Sequence, residues 1–331
     1  MSDNVELYRD WVSSAGETSS REERLPTLTR WLEGAPAEHP WLHLLSDRSA
    51  TMDPIGAALE RILDGLESAQ PERLPSKKKV FREDSGGYLN VRSELNVGYT
   101  LTETGTRFAF GGQGQPDYVC TLEGGSPGYV EVTTRARDDL RKLHDGLESR
   151  LRDHDILITL RVPRRLVIPQ AVRRTIWDRI EEVVTTRASD WVGLPEIDGA
   201  ALLGGPSLFG GPQVVLDIGS ELGEHGESIE RAMLTAIGEK AVQSAKGGWD
   251  PDTALVLDLS RLGVSWIRPD HVWGGRLESM GLNWDAIPFS TIAVVFSDLL
   301  RTGYHGACVW RPDLKGERAL RVEGLRQALA F

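Results

Sequence analysis

The sequence has little of what several protein classes require. Its two cysteines, Cys120 and Cys308, are too few for a disulfide framework and lack the spacing of a zinc site. No apolar run approaches the roughly 20 residues that span a bilayer. The N-terminus MSDNVELYRDW is acidic and has no apolar core, so it does not resemble a signal peptide. We therefore expect a cytoplasmic protein without a membrane partner.

Common cofactor and nucleophile motifs are also missing. The glycine-rich stretch at 193–212 is not followed by Gly-Lys-Ser/Thr, so we interpret it as a connector and not as a phosphate-binding loop. No Gly-x-Gly-x-x-Gly follows a predicted strand, and the Gly-x-Ser-x-Gly turn of serine hydrolases is lacking. We expect no organic cofactor.

Lysine and net positive charge are scarce. The chain has 7 lysines against 31 arginines, and its formal net charge is -11. A domain that binds nucleic acid usually carries a basic footprint, which an acidic chain can supply only as a local patch. One such patch is Lys77, Lys78 and Lys79, in a segment that we interpret as a linker.

The most informative segment that is present predicts a β-hairpin. Two apolar runs, 118–122 and 129–132, flank a cluster of glycine, serine and proline that is typical of a turn. If the turn centres on Gly124, Asp117 faces Glu131 across the two strands, with Cβ atoms about 5 Å apart.

Strand alternation divides this hairpin into an apolar and a polar face. The apolar face carries Tyr118, Cys120, Val130 and Val132, and the polar face carries Asp117, Thr121, Glu131 and Thr133. Two facing carboxylates repel each other unless a cation bridges them or one is protonated, and a hard divalent ion is the simplest such cation. The alternative is that Asp117 caps a strand and Glu131 lies on a solvated face.

The surrounding elements form a recognisable order. Upstream, Val91, Leu95 and Tyr99 have helical spacing, and the same helix carries Glu94. Residues 106–112 alternate as a strand. Downstream of the hairpin, a charged helix with a stripe of leucines precedes the buried strand DILITLRV. The order is therefore helix, three strands, helix, strand.

This order, the helical Glu94, the Pro-Asp pair ending at Asp117 and the Glu-x-Thr at Glu131 resemble the PD-(D/E)XK nuclease superfamily, over about residues 85–163. The resemblance implies a restriction-endonuclease-like α/β core (αβββαβ, a mixed sheet flanked by helices). It also implies that Glu94, Asp117 and Glu131 hold Mg²⁺, with Mn²⁺ as a substitute, for phosphodiester hydrolysis.

One position departs from the family pattern. Thr133 stands where the family has a lysine that places positive charge beside the attacking water, and a hydroxyl cannot supply that charge. Arg135 and Arg137 are the nearest cations in sequence. Lys240, in a later amphipathic helix, is a distant candidate, which we interpret as a helix-surface cation beside Glu239.

These observations predict three regions: an N-terminal helical region at 1–75, a nuclease core at 80–165 and an α/β extension at 166–331, whose strands would extend the same sheet. The catalytic candidates are Asp117, Glu131, Thr133 and Glu94. Nucleic-acid contacts are expected at Lys77, Lys78, Lys79, Arg135 and Arg137.

The leading hypothesis is a Mg²⁺-dependent DNA endonuclease or exonuclease. The resemblance permits a role in restriction, repair or anti-phage defence, with a partner subunit or a homodimer left open. The alternative, which Thr133 favours, is a nuclease-fold module that has lost catalysis and serves as a nucleic-acid-binding or protein-interaction subunit.

Overall fold

The structure is a computed structural model with helices and strands in mixed order. It describes residues 21–37, 39–46, 53–83, 88–134, 156–162, 173–180, 192–193, 201–206, 213–218, 223–260, 270–297 and 302–331, with single residues between 143 and 154. The helices are α1 (Arg21–Arg24), α2 (Pro26–Trp31), α3 (Pro40–Ser46), α4 (Asp53–Ala69), α5 (Leu74–Glu83), α6 (Tyr88–Glu103), α7 (Gly223–Gly247), α8 (Asp270–Ser279) and α9 (Glu317–Ala328). The strands are β1 (Arg107–Phe110), β2 (Tyr118–Thr121), β3 (Pro127–Thr134), β4 (Ile156–Val162), β5 (Val192–Gly193), β6 (Ala201–Pro206), β7 (Gln213–Ile218), β8 (Ala254–Asp258), β9 (Thr291–Phe296) and β10 (His305–Trp310).

The chain divides into two compact units. The first comprises residues 1–135, 235–260 and 266–331, and the second comprises 136–234 and 261–265. The long helix α7 begins in the second unit and continues, from Thr235, in the first. In sequence, the second unit is therefore a large insertion between β3 and the later strands of the first.

The first unit contains a mixed six-stranded sheet in the order β1-β2-β3-β8-β9-β10. Strands β3, β8 and β9 run parallel, and the remaining neighbours are antiparallel. One face of the sheet packs on the N-terminal helices and α6. Its core side chains there are Val130, Val132, Ala254, Val256, Ala293 and Val295. Burying each valine there stabilises the fold by about 1.5–3 kcal/mol.

The predicted hairpin register is confirmed. Tyr118 pairs with Val130 and Thr121 with Pro127, which is the register expected from a turn centred on Gly124. The turn is a short 3-10 helix in which Gly124 and Gly125 have φ of 79° and 81°, a region that glycine enters without steric cost. The predicted apolar face is buried: its four residues are Tyr118, Cys120, Val130 and Val132.

The strand expected at the end of the predicted core, β4, lies in a different sheet from the hairpin. Residues 156–162 do form a strand, but β4 pairs with β6 and β7 in the four-stranded sheet of the second unit. The prediction that β4 joins the hairpin in one sheet is therefore wrong. In the first sheet the neighbour of β3 is β8, which lies more than a hundred residues later in the chain. The two strands are parallel, so a crossover connection must join them, and here that connection is long.

Other predictions about the later strands have mixed outcomes. Strands β8, β9 and β10 extend the first sheet as expected, whereas β7 lies in the second. The glycine-rich stretch expected to be a connector contains β6, whose two glycines pair with β4. A short apolar run with glycines is difficult to assign from sequence, because only the sheet partner decides its conformation.

The described residues of the expected N-terminal region, 1–75, include helices α1 to α4. Trp31 and Trp41 are buried in it, and α4 begins at Asp53, as the Asp-Pro signal predicts. Trp11 lies outside the described residues. The interpretation of the lysine-rich segment as a linker is wrong. Leu74–Glu83 is helix α5, with Pro75 in its first turn, where proline is tolerated.

In the part of the chain that the structure describes, no helix has both the length and the apolar character needed to cross a membrane.

Candidate functional site

The three predicted acids come together in the first unit, from three different elements. Glu94 lies on α6, Asp117 directly precedes β2, and Glu131 lies in the middle of β3. Each of the three carboxylates acts on another through its charge: Asp117 on Glu94, Glu131 on Asp117, and Glu94 on Glu131. The hairpin and the helix therefore build one carboxylate cluster, which we define as Glu94, Asp117 and Glu131.

The position of Asp117 is fixed by its backbone and by its side chain. The last hairpin pair on this side is Tyr118 with Val130, and the Val132 N–H beyond it donates to Asp117 Oδ2 at 2.8 Å. The Gly111 N–H donates to the Asp117 carbonyl oxygen at 2.7 Å. A Cβ at Gly111 would lie 1.7 Å from the Pro116 carbonyl oxygen, so this turn requires glycine.

Glu94 is placed by the packing of α6 on the hairpin. The buried Tyr118 hydroxyl donates to the Glu94 carbonyl oxygen at 2.5 Å. Gly98, one helical turn later, leaves room for that hydroxyl, because a Cβ there would lie only 2.9 Å from it. The Glu94 side chain is thereby held above the sheet while its own backbone stays helical.

Burial and mutual repulsion raise the pKa of all three carboxyl groups. Burial, and then the charge of Asp117, raise the pKa of Glu94 to about 7. Burial, and then the charge of Glu131, raise the pKa of Asp117. Burial also raises the pKa of Glu131, although Lys240 opposes that rise. The cluster therefore gains from any cation that neutralises it.

Lys240 contacts the cluster directly. Its Nζ donates to Glu131 Oε1 and, at 3.0 Å, to Gln243 Oε1. The interpretation of Lys240 as a helix-surface cation is therefore wrong, and the side chain is only 19% exposed. It belongs to the part of α7 that lies in the first unit.

The sequence contained a signal for this position of Lys240. Ala236, Ile237 and Ser244 are buried, so Lys240 falls on the buried stripe of α7 at spacings of three and four residues. A lysine on an otherwise buried stripe indicates a partner inside the fold, because an unpaired buried charge is costly.

A second lysine, Lys77, also contacts the cluster. It lies on α5, and its Nζ donates to Glu94 Oε2 at 2.5 Å. The sequence pattern predicts a nucleic-acid contact for Lys77 and gives no indication of its contact with Glu94. Leu74 and Phe81 are the buried residues of α5, and Lys77 lies three residues after Leu74 on the same face. Recognising α5 as a helix would have shown this.

The other predicted nucleic-acid contacts are placed as follows. Lys78 pairs with Glu67 and lies over the Trp31 ring, so it is engaged within the N-terminal helices. Lys79 is exposed. Arg135 and Arg137 lie outside the described residues.

Thr133 is half-buried and follows Glu131 by two residues in β3. It pairs with Leu257 of β8, and strand alternation places it on the same face as Glu131. Lys240, on α7, contacts Glu131 on that face.

Further contacts hold the loop that carries Asp117. The Trp249 Nε1–H, directly after α7, donates to the Gly114 carbonyl oxygen at 2.7 Å. On its other side, the Arg73 guanidinium donates to the Phe110 carbonyl oxygen at 3.3 Å. Trp249 thus ties the end of the helix that bears Lys240 to the loop that bears Asp117.

The carboxylate cluster fits a divalent metal ion in its chemistry. Among the described residues, no group of three or more His, Cys, Asp or Glu side chains is already arranged around one point as ligands. Lysines hold two of the acids instead. All three side chains nevertheless offer carboxylate oxygens, the donors that Mg²⁺ prefers. Their raised pKa values indicate that a nearby positive charge would stabilise the ionised carboxylates.

Comparisons with known proteins found no match, whether with family models, curated proteins or solved structures. Any family assignment therefore depends on the site residues and on the order of the elements.

Proposed function

We propose that this protein is a metal-dependent nuclease of the PD-(D/E)XK type. The observation that carries the proposal is the contact of Lys240 with Glu131, inside a cluster of three carboxylates on the expected elements. In this arrangement α7 supplies the positive charge that Thr133 lacks. The active site would then have its full set of three acids and one lysine.

The element order of the first unit supports the same proposal. Helix α6 and strands β1, β2 and β3 are followed, after the insertion, by α7 and β8. This order agrees with the αβββαβ order that the resemblance implies, if α7 and β8 take the place of the helix and strand expected at 140–162. The topology also explains how a lysine so distant in sequence contacts Glu131.

Each residue would have a distinct role. Glu94, Asp117 and Glu131 would hold Mg²⁺ or Mn²⁺, which, when bound, polarises the phosphate and lowers the pKa of its bound water. Lys240 would keep a fixed ammonium group beside Glu131, where charge develops in the transition state. The Val132 N–H would keep the Asp117 carboxylate oriented.

The catalytically degenerate alternative depends on Thr133. A protein that had lost catalysis would have no need to keep a buried lysine on Glu131 beside three mutually repelling acids. We therefore favour the enzyme, with DNA as its substrate and Lys79 as an exposed candidate for a backbone contact.

A cleavage assay tests this function. The protein is incubated with single-stranded DNA, double-stranded DNA and RNA, in Mg²⁺ or Mn²⁺. Wild-type protein is expected to cleave at least one of them, and Asp117→Asn and Glu131→Gln are each expected to abolish cleavage because they remove charge that holds the metal. Cleavage undiminished in Asp117→Asn would contradict the proposal.

A matched pair of lysine variants on α7 tests the role of Lys240. Lys240→Met is expected to lower the cleavage rate at least about 100-fold, the usual loss for a group that stabilises transition-state charge. Lys246→Met, at an exposed position on the same helix, serves as the control and should retain wild-type activity. Equal activity of the two variants would remove Lys240 from the mechanism.

A further inference from the structure

Lys77 is a half-buried cation that the family pattern does not account for. Its side chain is 15% exposed, and its ammonium group pairs with Glu94 and lies 5.3 Å from the centre of the Phe110 ring. Its charge also acts on Asp117. A flexible surface lysine would lose rotamer entropy in such a position, so the fold must hold it there.

Helix α5 supplies that support. Leu74 and Phe81 anchor the helix in the core, and Phe81 packs edge-on against Trp31 at 5.5 Å between ring centres. On the adjoining face Lys78 pairs with Glu67. Lys77 therefore projects from a helix that is fixed on two sides, which places its ammonium group against Glu94.

The two lysines approach the cluster from different elements and bind different acids. Lys77 contacts Glu94 from α5, and Lys240 contacts Glu131 from α7. The contact described for the Asp117 side chain is a backbone N–H. Among the described residues three carboxylates thus face two ammonium groups, which leaves one negative charge in excess when all three carboxylates are ionised, as they would be around a metal ion.

We propose that Lys77 is a tethered counter-cation that occupies the Glu94 side of the cluster and limits the site to one divalent ion. A single ion held by the three carboxylates would change the excess charge from one negative to one positive, whereas a second ion would enter a site that already carries this positive charge, beside the Lys77 ammonium group. The inference rests on the proposed metal-dependent function. It makes Lys77 a residue that sets metal stoichiometry and affinity.

Calorimetric titration with Mn²⁺ in the absence of nucleic acid tests this. Wild-type protein is expected to bind one ion. Lys77→Met keeps the length of the side chain without its charge, and should bind Mn²⁺ at least about fivefold more tightly, the lower end of typical coupling between binding sites, or bind a second ion. Lys78→Met is the matched control, since Lys78 pairs with Glu67, and should leave Mn²⁺ binding unchanged.

Lys77→Arg and metal-free stability separate this role from a merely structural one. Lys77→Arg keeps the charge and should keep wild-type affinity. Lys77→Met should melt at a lower temperature than wild type without metal and recover more of that loss in Mn²⁺. A structural ion pair would show the same melting loss without any gain in Mn²⁺ affinity.

The outcomes that overturn the inference differ from those that overturn the function. Two ions in wild-type protein, or unchanged affinity in Lys77→Met, would reject the role of Lys77 and leave the nuclease proposal intact. Failure of both wild type and Lys77→Met to bind Mn²⁺ would reject the metal-dependent function, and this inference with it.

Discussion

The first unit contains two ionic groups, each built around a buried acid, Glu131 in one and Asp252 in the other, and they differ in their charge balance. The three acids of the carboxylate cluster have two lysines, Lys77 and Lys240, as ion-pair partners. The second group, which we call the arginine clamp, consists of Asp250, Asp252, Arg318 and Arg321. Asp252 is 2% exposed, and Arg318 donates to both of its oxygens at 2.6 to 3.1 Å. Arg321 reaches Asp250 and Asp252 at 3.3 Å each.

The difference between them indicates what each group is for. The arginine clamp is balanced in charge, and its planar guanidinium groups satisfy carboxylates at fixed geometry, which suits the attachment of α9 to the segment before β8. The carboxylate cluster has an excess of acid, and its cations are single ammonium groups. We expect the clamp to stabilise the metal-free fold and the cluster to destabilise it, with the cost offset when a cation binds.

The largest effect is expected from breaking the arginine clamp. Replacing Arg318 and Arg321 together by methionine leaves Asp252 buried without the partners described for it. Such a loss usually costs about 3–5 kcal/mol of stability. Urea unfolding measures this, and Mn²⁺ affinity of the folded variant should not change. A change in Mn²⁺ affinity would show that the two groups are coupled.

The opposite sign is expected in the carboxylate cluster. Asp117→Asn keeps the shape of the side chain and an oxygen acceptor for the Val132 N–H but removes one repelling charge. At pH 8 without metal, it should raise the free energy of unfolding by about 1–3 kcal/mol, because the pKa of Asp117 is raised by burial and by Glu131. Asp117→Asn should also lose the stabilisation by Mn²⁺ seen in wild type. A less stable metal-free variant would contradict this account of the cluster.

Sequence reasoning recovered the hairpin because its determinants are local. The glycines at 124 and 125 fix the turn, the turn fixes the register, and strand alternation then places Asp117 and Glu131 on one face. The helical spacing of Val91, Leu95 and Tyr99 predicts the helix that carries Glu94.

The remaining parts depend on distant contacts. Strand β3 pairs with β8 across an insertion that contains its own sheet, and the composition of DILITLRV does not show which sheet it joins. The contacts of Lys77 and Lys240 with the acids are predictable in principle, since each lysine lies on the buried stripe of its helix. Lys240 is interpreted from the sequence as a surface cation because charged residues on helices are usually solvated, and the interpretation of the segment of Lys77 as a linker hides the buried face of α5.

The pH dependence of stability is expected to follow the cluster. The pKa of Glu94 is raised from 4.5 to about 7, so between these values the folded state binds more protons than the unfolded state. Stability of the metal-free protein is therefore lost as pH rises through this window, by about 3 kcal/mol at most from this group.

Urea unfolding of wild type and Glu94→Gln from pH 4 to pH 8 measures this contribution. The difference in unfolding free energy should move in favour of Glu94→Gln as pH rises. Saturating Mn²⁺ should reduce that movement. A difference that is constant with pH would show that Glu94 is not destabilised by its surroundings.

The smallest effect is expected where the loop of Asp117 meets the end of α7. Trp249→Phe keeps an aromatic side chain but loses the N–H that donates to Gly114, and the loss of this hydrogen bond costs about 0.5–1.5 kcal/mol. If this contact positions the site, cleavage should fall more than in Trp310→Phe, a control at a partly exposed tryptophan. Equal cleavage by both variants would assign Trp249 to packing alone.

The binding of a divalent ion by the carboxylate cluster is the central claim. A crystal structure of wild-type protein soaked in Mn²⁺, with data collected at the manganese absorption edge, tests it most directly. The account predicts one anomalous peak within coordination distance of Asp117 and Glu131, with Lys240 still beside Glu131. An anomalous peak elsewhere, or none at the cluster when Mn²⁺ is in excess, would contradict it.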